Sequence, residues 1–240
     1  MNRLAIETST EQLSVAVSAR GQVCSHRGPG GAQASAGLLA AVHAVLAQAG
    51  LALNDIGVIA MGRGPGSFTG LRTACAVSQG LAFGLGVGIV PIDTLLALAE
   101  EGRHQCAAGT AEASDEASRF YAVIDARMGQ LYTAAYEHRA GLWHTVQAPA
   151  VQNPAECALP LAWSGQPVWA VGLAQHLLPD LALPWVVAHP TASALLRLAD
   201  QAQAHGGEVP PALALPLYLR DKVAQTTAER ALAKANATAT

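Results

Sequence analysis

The sequence predicts an α/β protein of two lobes, and three observations lead there. Residues 1–101 spell three short strands, a helix, a strand, a helix, a strand and a helix. A run of small and polar residues at 102–118 (GRHQCAAGTAEASDEAS) then reads as a loop or linker. Beyond it, residues 119–222 hold a strand–turn–strand pattern, further short strands and one amphipathic helix, a last helix that could return to pack on the first lobe. Strands and helices interleaved in this order indicate mixed layers around more than one core.

The first lobe opens with strands Arg3–Thr8, Leu13–Ala19 and Gln22–Arg27, the last two joined by a turn at Arg20–Gly21. After a Gly/Ala-rich loop, Leu38, Leu39, Val42, Val45 and Leu46 recur at helical spacing, and Gly50 stands where a glycine would stop the helix. A buried-type strand Gly57–Gly62 follows, then a glycine loop, a helix from Ser67 to Gly84, a strand Gly88–Pro91 and a third helix starting at Asp93 or Thr94. In the second lobe Phe120–Ala126 and Gln130–Tyr136 read as a hairpin across Arg127–Met128–Gly129. Strands are expected at Val168–Val171 and Trp185–Ala188. A helix is expected from Thr191, its cap, to His205, with Gly206–Gly207 as its stop. The Ala/Thr-rich residues 223–240 are expected to be a disordered tail.

Hydrophobic residues make up 51% of the chain and charged ones only 13%, against a usual charged share of about 25%. So few charges leave much apolar surface, which favours an oligomer or a bound partner. A net charge of −3 argues against this chain gripping nucleic acid alone, because phosphate binding needs a basic face. In an RNA process another subunit would supply the positive surface. Cys24, Cys75, Cys106 and Cys157 are scattered and read as reduced thiols. Glu7 interrupts the first apolar run, and the stretch Leu81 to Ile92 is short and broken by Gly84, Gly86, Gly88 and Pro91. A cytoplasmic location without membrane association is the expectation.

The most informative segment is MGRGPGSFTGLR at residues 61–72, placed after a strand and at the start of a helix. Such a setting aims backbone N–H groups outward and can hold an anion. No Gly-Lys-Ser/Thr ending is present, so it is not a P-loop. Ser67 also stands where a dinucleotide fingerprint needs its third glycine. A structural tight turn and an anion-binding loop both remain open. Ser67 lacks the Gly-x-Ser-x-Gly pattern of a nucleophile elbow, with Pro65 and Thr69 where the glycines would stand, and the eight histidines contain no HxxxH or HExxH spacing for a zinc peptidase. His43 reads as a surface or interface residue. Asp125-Ala126-Arg127 at the hairpin tip is either an ion pair fixing a turn or a ligand or partner contact.

Five phrases, AIETST at 5–10, GRGPGSFTGLR at 62–72, QGLAFG at 79–84, IDARMG at 124–129 and PLYLR at 216–220, resemble the TsaB (YeaZ) family in order and spacing. The loop at Gly28–Ser35 departs from it, lacking the His-Ser-like start of many relatives. The resemblance implies an actin/Hsp70-like (ASKHA, ribonuclease H-like) two-lobed α/β fold. It implies a non-catalytic scaffold subunit in the synthesis of threonylcarbamoyladenosine next to the anticodon of tRNA. Such a subunit binds a TsaD-like catalytic subunit, is joined by a TsaE-like ATPase, forms a homodimer when alone, and meets tRNA only through the complex. No catalytic residue, metal or cofactor is expected.

Carried onto this chain, the family's pairing surface falls on the first two helices, at Leu38, Leu39, Val42, Val45, Leu46, Arg72, Ala74, Val77, Ser78 and Leu81. Ala74 and Ser78, one turn apart, permit close helix approach. The other reading is that both stripes face their own sheet. Glu7, Gly64, Pro65, Gly66, Ser67, Thr69, Gly70, Asp125 and Arg127 are expected to shape a remnant cleft between the lobes. The rival expectation is an enzyme using that cleft, either an ATP-dependent phosphotransferase or a peptidase of the glycoprotease type.

Overall fold

The computed structural model describes residues 1–109 and 117–220. Strands β1 (Asn2–Glu7), β2 (Gln12–Ala19) and β3 (Gln22–Pro29) form an antiparallel meander. Its β2–β3 turn is Arg20–Gly21, with φ of 52° and 78°. Two left-handed residues match the right-handed twist of the flanking strands. Helix α1 (Ala34–Gln48), strand β4 (Ile56–Gly64), helix α2 (Phe68–Leu85) and strand β5 (Gly88–Asp93) complete the first lobe. Strands β4 and β5 lie parallel to β1, giving the sheet order β3-β2-β1-β4-β5.

The second lobe repeats this plan. Strands β6 (Ser118–Arg127), β7 (Gln130–Arg139) and β8 (Leu142–Gln152) form a meander, and β9 (Trp169–Gly172) and β10 (Trp185–Val186) lie parallel to β6 and to each other. Its order is β8-β7-β6-β9-β10, the first sheet's order over again. No repeat is visible in the sequence, because the two copies share topology and not residues.

Helix α3 (Thr94–Gly109) follows the first sheet but packs on β6 and β7, whereas α4 (Ala192–Ala204) follows the second sheet and packs on β1, β2, β4 and β5. The two helices therefore form a shared layer between the sheets. One core joins Ala5, Val58 and Val90 to Leu95, Leu195, Phe120 and Tyr136 through that layer. A second lies between the first sheet and α1/α2, and a third beneath the irregular segment that covers the second sheet. That segment has 3-10 turns where the first lobe has helices. Pro154, Pro160, Pro167, Pro179 and Pro184 lie along it, each removing a backbone donor that a helix would use.

One sequence expectation is corrected here, and one strand had no sequence expectation at all. Residues 102–109 are not linker but the end of α3. Arg103 reaches back to Glu100 with two hydrogen bonds of 3.0 Å, and Gly102 permits close packing, since a Cβ there would stand 2.8 Å from Val171 Cγ2. Strand β8, edge-placed and half exposed, carries an alternation too weak to read. The disorder expected at 223–240 lies outside the described residues.

Candidate functional site

The glycine loop after β4 takes its sequence from what it presses against. Ser67 N–H donates to Ser9 O at 2.7 Å, and Thr8 Oγ1 donates to Gly70 O at 2.8 Å. A Cβ on Gly66 would stand 2.4 Å from Ser9 O, and one on Gly70 1.9 Å from Thr8 O. The glycines are therefore accounted for by backbone meeting backbone, as the tight-turn reading supposes. Ser67 Oγ caps α2 by accepting from Gly70 N–H at 3.4 Å. Gly64, Pro65 and Gly70 are buried, and Gly64 N–H donates to Thr94 Oγ1 at 3.1 Å, which ties the loop to the start of α3.

Between the lobes lies a cavity of about 660 Å³. Its walls include Phe68, Leu71, Leu98, Ile124 and Leu217, and its rim carries Ser9, Ser67, Thr69, Asp125 and Arg127. Asp125 Oδ1 accepts from Arg127 N–H at 2.6 Å and fixes the hairpin tip, while the Arg127 guanidinium reaches across to Glu11 in the other lobe. Of the two roles left open for this pair, the geometry bears on the first: it closes the turn, and its arginine also reaches across the cleft to Glu11 of the same chain. Residues 214–220 strap the same opening. Ala214 O accepts from Cys75 and Gln79 on α2 at 3.2 Å each, and Leu217 N–H donates to Arg63 O at 2.7 Å. The Tyr218 ring lies 5.5 Å from Phe68, and Arg220 donates to Arg127 O in the second lobe. This strap is what the PLYLR phrase builds.

Glu7 does not face the cavity. It is fully buried, accepts from Ser9 N–H at 2.7 Å and from Thr94 Oγ1 at 3.3 Å, and lies over Gly62, whose added Cβ would stand 2.0 Å from its Oε2. Burial pushes its carboxyl above the usual carboxylate range, against hydrogen bonds from Ser9, Thr94 and Thr8 that favour the ionised form. The folded chain thus holds this proton to higher pH than the unfolded one. The stability Glu7 contributes is fully present below the usual carboxylate range and is lost as pH rises through the raised value. Glu7→Gln keeps the shape without the charge. It should flatten urea midpoints over that window and be at least as stable as wild type at neutral pH. An unchanged slope in the variant would mean another group titrates there. Among the described residues, no three His, Cys, Asp or Glu side chains are grouped as metal ligands would be.

The residues expected on a pairing surface separate into two sets. Leu38, Val42, Val45, Leu46, Ala74 and Ser78 are buried against their own sheet, and Val77 and Leu81 are half-buried against the same core. A side chain closed off inside its own lobe cannot touch a partner, so for the six buried residues the own-sheet reading holds, while Val77 and Leu81 keep part of their surface open. The stripe that periodicity detects is the buried one. Leu39 and Arg72 are exposed. Their exposed neighbours are Ala36, Ala40, His43, Ala44 and Ala47 on α1 and Thr69, Ala76, Gly80, Phe83 and Gly84 on α2. Phe83 is 84% exposed and Leu39 49%. Neither helix carries an Asp, Glu or Lys, and Arg72 is their one formal charge. Sequence reasoning missed this small-residue outer face, along with Glu11, Tyr218 and Arg220. For the face the available signal was the absence of Asp, Glu and Lys along both helices, and for Tyr218 and Arg220 it was the PLYLR phrase itself.

The chain matches a protein-family model described as TsaD, tRNA N6-adenosine threonylcarbamoyltransferase, over residues 24–228. It is 34% identical to the tRNA threonylcarbamoyladenosine biosynthesis protein TsaB of Escherichia coli over 232 residues, covering 93% of this chain and 96% of that one. It is 38% identical to the protein of the same name from Haemophilus influenzae over 129 residues, 54% of this chain and 51% of that one. The solved structure of YeaZ from Pseudomonas aeruginosa superposes with a TM-score of 0.81 at 35% identity, covering 91% of this chain and 99% of that chain. That likeness covers nine-tenths of the chain, and the twice-repeated five-stranded sheet order is that of the two-lobed ribonuclease H-like (ASKHA) fold that the five sequence phrases implied. The chain belongs to the TsaB family.

Proposed function

We propose that this chain is the non-catalytic scaffold subunit of a complex that places a threonylcarbamoyl group on the adenosine beside the anticodon, in tRNAs reading codons that start with A. It binds and activates a TsaD-like catalytic subunit, works with a TsaE-like ATPase, and pairs with itself when alone. The observation that carries this reading is the outer face of α1 and α2: two adjacent helices whose exposed side chains are mostly Ala, Gly, Leu and Phe, with His43 and Thr69 among them and a single formal charge. Contiguous exposed apolar surface of this kind marks a protein contact. Small residues let a second helix pair approach closely, and docking there would favour one conformation of the catalytic subunit by differential affinity. The placement of Glu7 supports the scaffold reading over a phosphotransferase in the cleft. The carboxylate such an enzyme would use to hold a metal lies buried on Ser9 and Thr94, away from the cavity.

The test is light scattering on the chain alone, on its organism's catalytic subunit alone, and on the mixture. Wild type should give a heterodimer. Because Val77 packs against its own core, Val77→Asp would confuse folding with docking, and Ala76→Glu and Phe83→Asp are the better variants. A charge left unpaired at the centre of such a contact should weaken it by about 100-fold or more with little change in melting temperature. Wild-type assembly by both variants would remove this face from consideration. No heterodimer under any nucleotide condition, together with magnesium-dependent ATP binding by the isolated chain, would replace the scaffold reading with a cleft enzyme.

A further inference from the structure

We infer that Arg72 is the specificity residue of this face: it docks on a carboxylate of the catalytic partner and disfavours a second copy of the chain. The inference rests on the scaffold reading above. The Arg72 Cζ lies 3.8 Å from the centroid of the Phe68 ring, and its Nε donates to Tyr218 Oη at 3.3 Å. Those contacts orient the guanidinium without neutralising it. Arg72 takes part in none of the ion pairs among the described residues, a state it shares with Arg20 at the β2–β3 turn and Arg220 on the strap, whereas arginines 3, 27, 63, 103, 119, 127, 139 and 197 are all paired. Nor does it serve its own helix, since it sits near the N-terminus of α2, the positive end of the helix dipole.

An exposed cation set in an apolar face is costly to cover unless the covering surface supplies an anion. In a two-fold pairing the same patch meets itself. Neither α1 nor α2 has an acidic residue, so face-to-face copies offer Arg72 no carboxylate from these helices. A different subunit can offer one, and a guanidinium already held over the Phe68 ring makes a bidentate pair with little further ordering. The apolar surroundings and the net charge of −3 favour a protein carboxylate over an RNA phosphate, which calls for several cations together.

Two variants test this. Arg72→Gln removes the charge, and Arg72→Lys keeps it without the planar fork. Heterodimer and homodimer dissociation constants would be measured by sedimentation at low and high salt, with melting temperature as the folding check. Arg72→Gln should weaken the heterodimer about tenfold or more, reduce its salt dependence, and leave the homodimer unchanged or tighter. Arg72→Lys should fall between. A wild-type heterodimer matched in affinity by Arg72→Gln would overturn the role of Arg72 while the scaffold reading stands. Absence of a wild-type heterodimer would overturn both. An intact heterodimer with weakened tRNA retention in Arg72→Gln would identify the acceptor as phosphate and likewise overturn the inference.

Discussion

Glu100→Ala is expected to destabilise the chain by about 3–5 kcal/mol, the usual cost of removing one member of a buried charge cluster. A fall in melting temperature on the order of 10 °C should follow for a chain of this size. Glu100 is 2% exposed on α3 in the layer between the sheets. Its carboxylate accepts from Arg197 Nε on α4 at 2.6 Å, from both Arg103 nitrogens at 3.0 Å, and from Trp143 Nε1 on β8 at 2.9 Å. Next to it, Glu101 accepts from Arg197 Nη2 at 2.9 Å and from Thr191 Oγ1, the cap of α4, at 2.8 Å. One carboxylate thus joins both inner helices to the second sheet. Its removal leaves two guanidinium groups under-compensated and an indole N–H unpaired.

The same residue sets an acid-side pH dependence. Burial alone would raise the Glu100 carboxyl, but hydrogen bonds from Arg103 and Trp143 and the charges of Arg103 and Arg197 outweigh it and hold the group below the usual carboxylate range. The stability it contributes is therefore present above that range and lost as pH falls through the lowered value. Glu100→Gln should lack this acid-side loss, and Glu7→Gln should lack the opposite one at higher pH. Urea midpoints across pH would separate the two carboxylates by the sign of their slopes.

Both groups show how far the sequence could be read. Element order was legible in the first lobe because its strands are apolar runs between turn residues, and because Gly50 and Gly206 stand where helices end. The partition of helices between lobes was legible only in part: a return of the last helix to the first lobe was foreseen, but the packing of α3 on the sheet that follows it was not, since no local pattern encodes it. Glu100 and Glu101 carry no motif that would single them out in the sequence. Their importance depends on Arg197 and Trp143, distant in sequence. Gly102, which reads as a helix breaker, instead marks where α3 presses on Val171. For the candidate surface, hydrophobic periodicity located α1 and α2 correctly, but it marked the side facing the chain's own core. The outer side is made of residues too small to register as a stripe.

Gly70→Ala separates local preference from tertiary constraint. Gly70 lies in the first turn of α2, where alanine should favour the helix by about 1 kcal/mol. Its Cβ would instead stand 1.9 Å from Thr8 O, a backbone atom that cannot rotate away. Relief requires moving the β1–β2 turn, which breaks the hydrogen bonds from Thr8 Oγ1 to Gly70 O and from Ser67 N–H to Ser9 O. Steric overpacking of up to about 3 kcal/mol and two lost hydrogen bonds of about 1 kcal/mol each outweigh the helix preference. A net loss of roughly 3–4 kcal/mol is expected from these terms together. Displacing that turn also carries Glu11 away from Arg127, so the pairing between lobes across the cavity should loosen with it. Gly80→Ala on the exposed side of the same helix is the control. Nothing lies within 4 Å of its added Cβ, and the isolated chain should gain about 1 kcal/mol. Because Gly80 lies on the proposed partner face, the same methyl group should weaken the heterodimer. A variant that melts higher yet assembles less tightly would separate what α2 does for its own lobe from what its outer face does for another subunit.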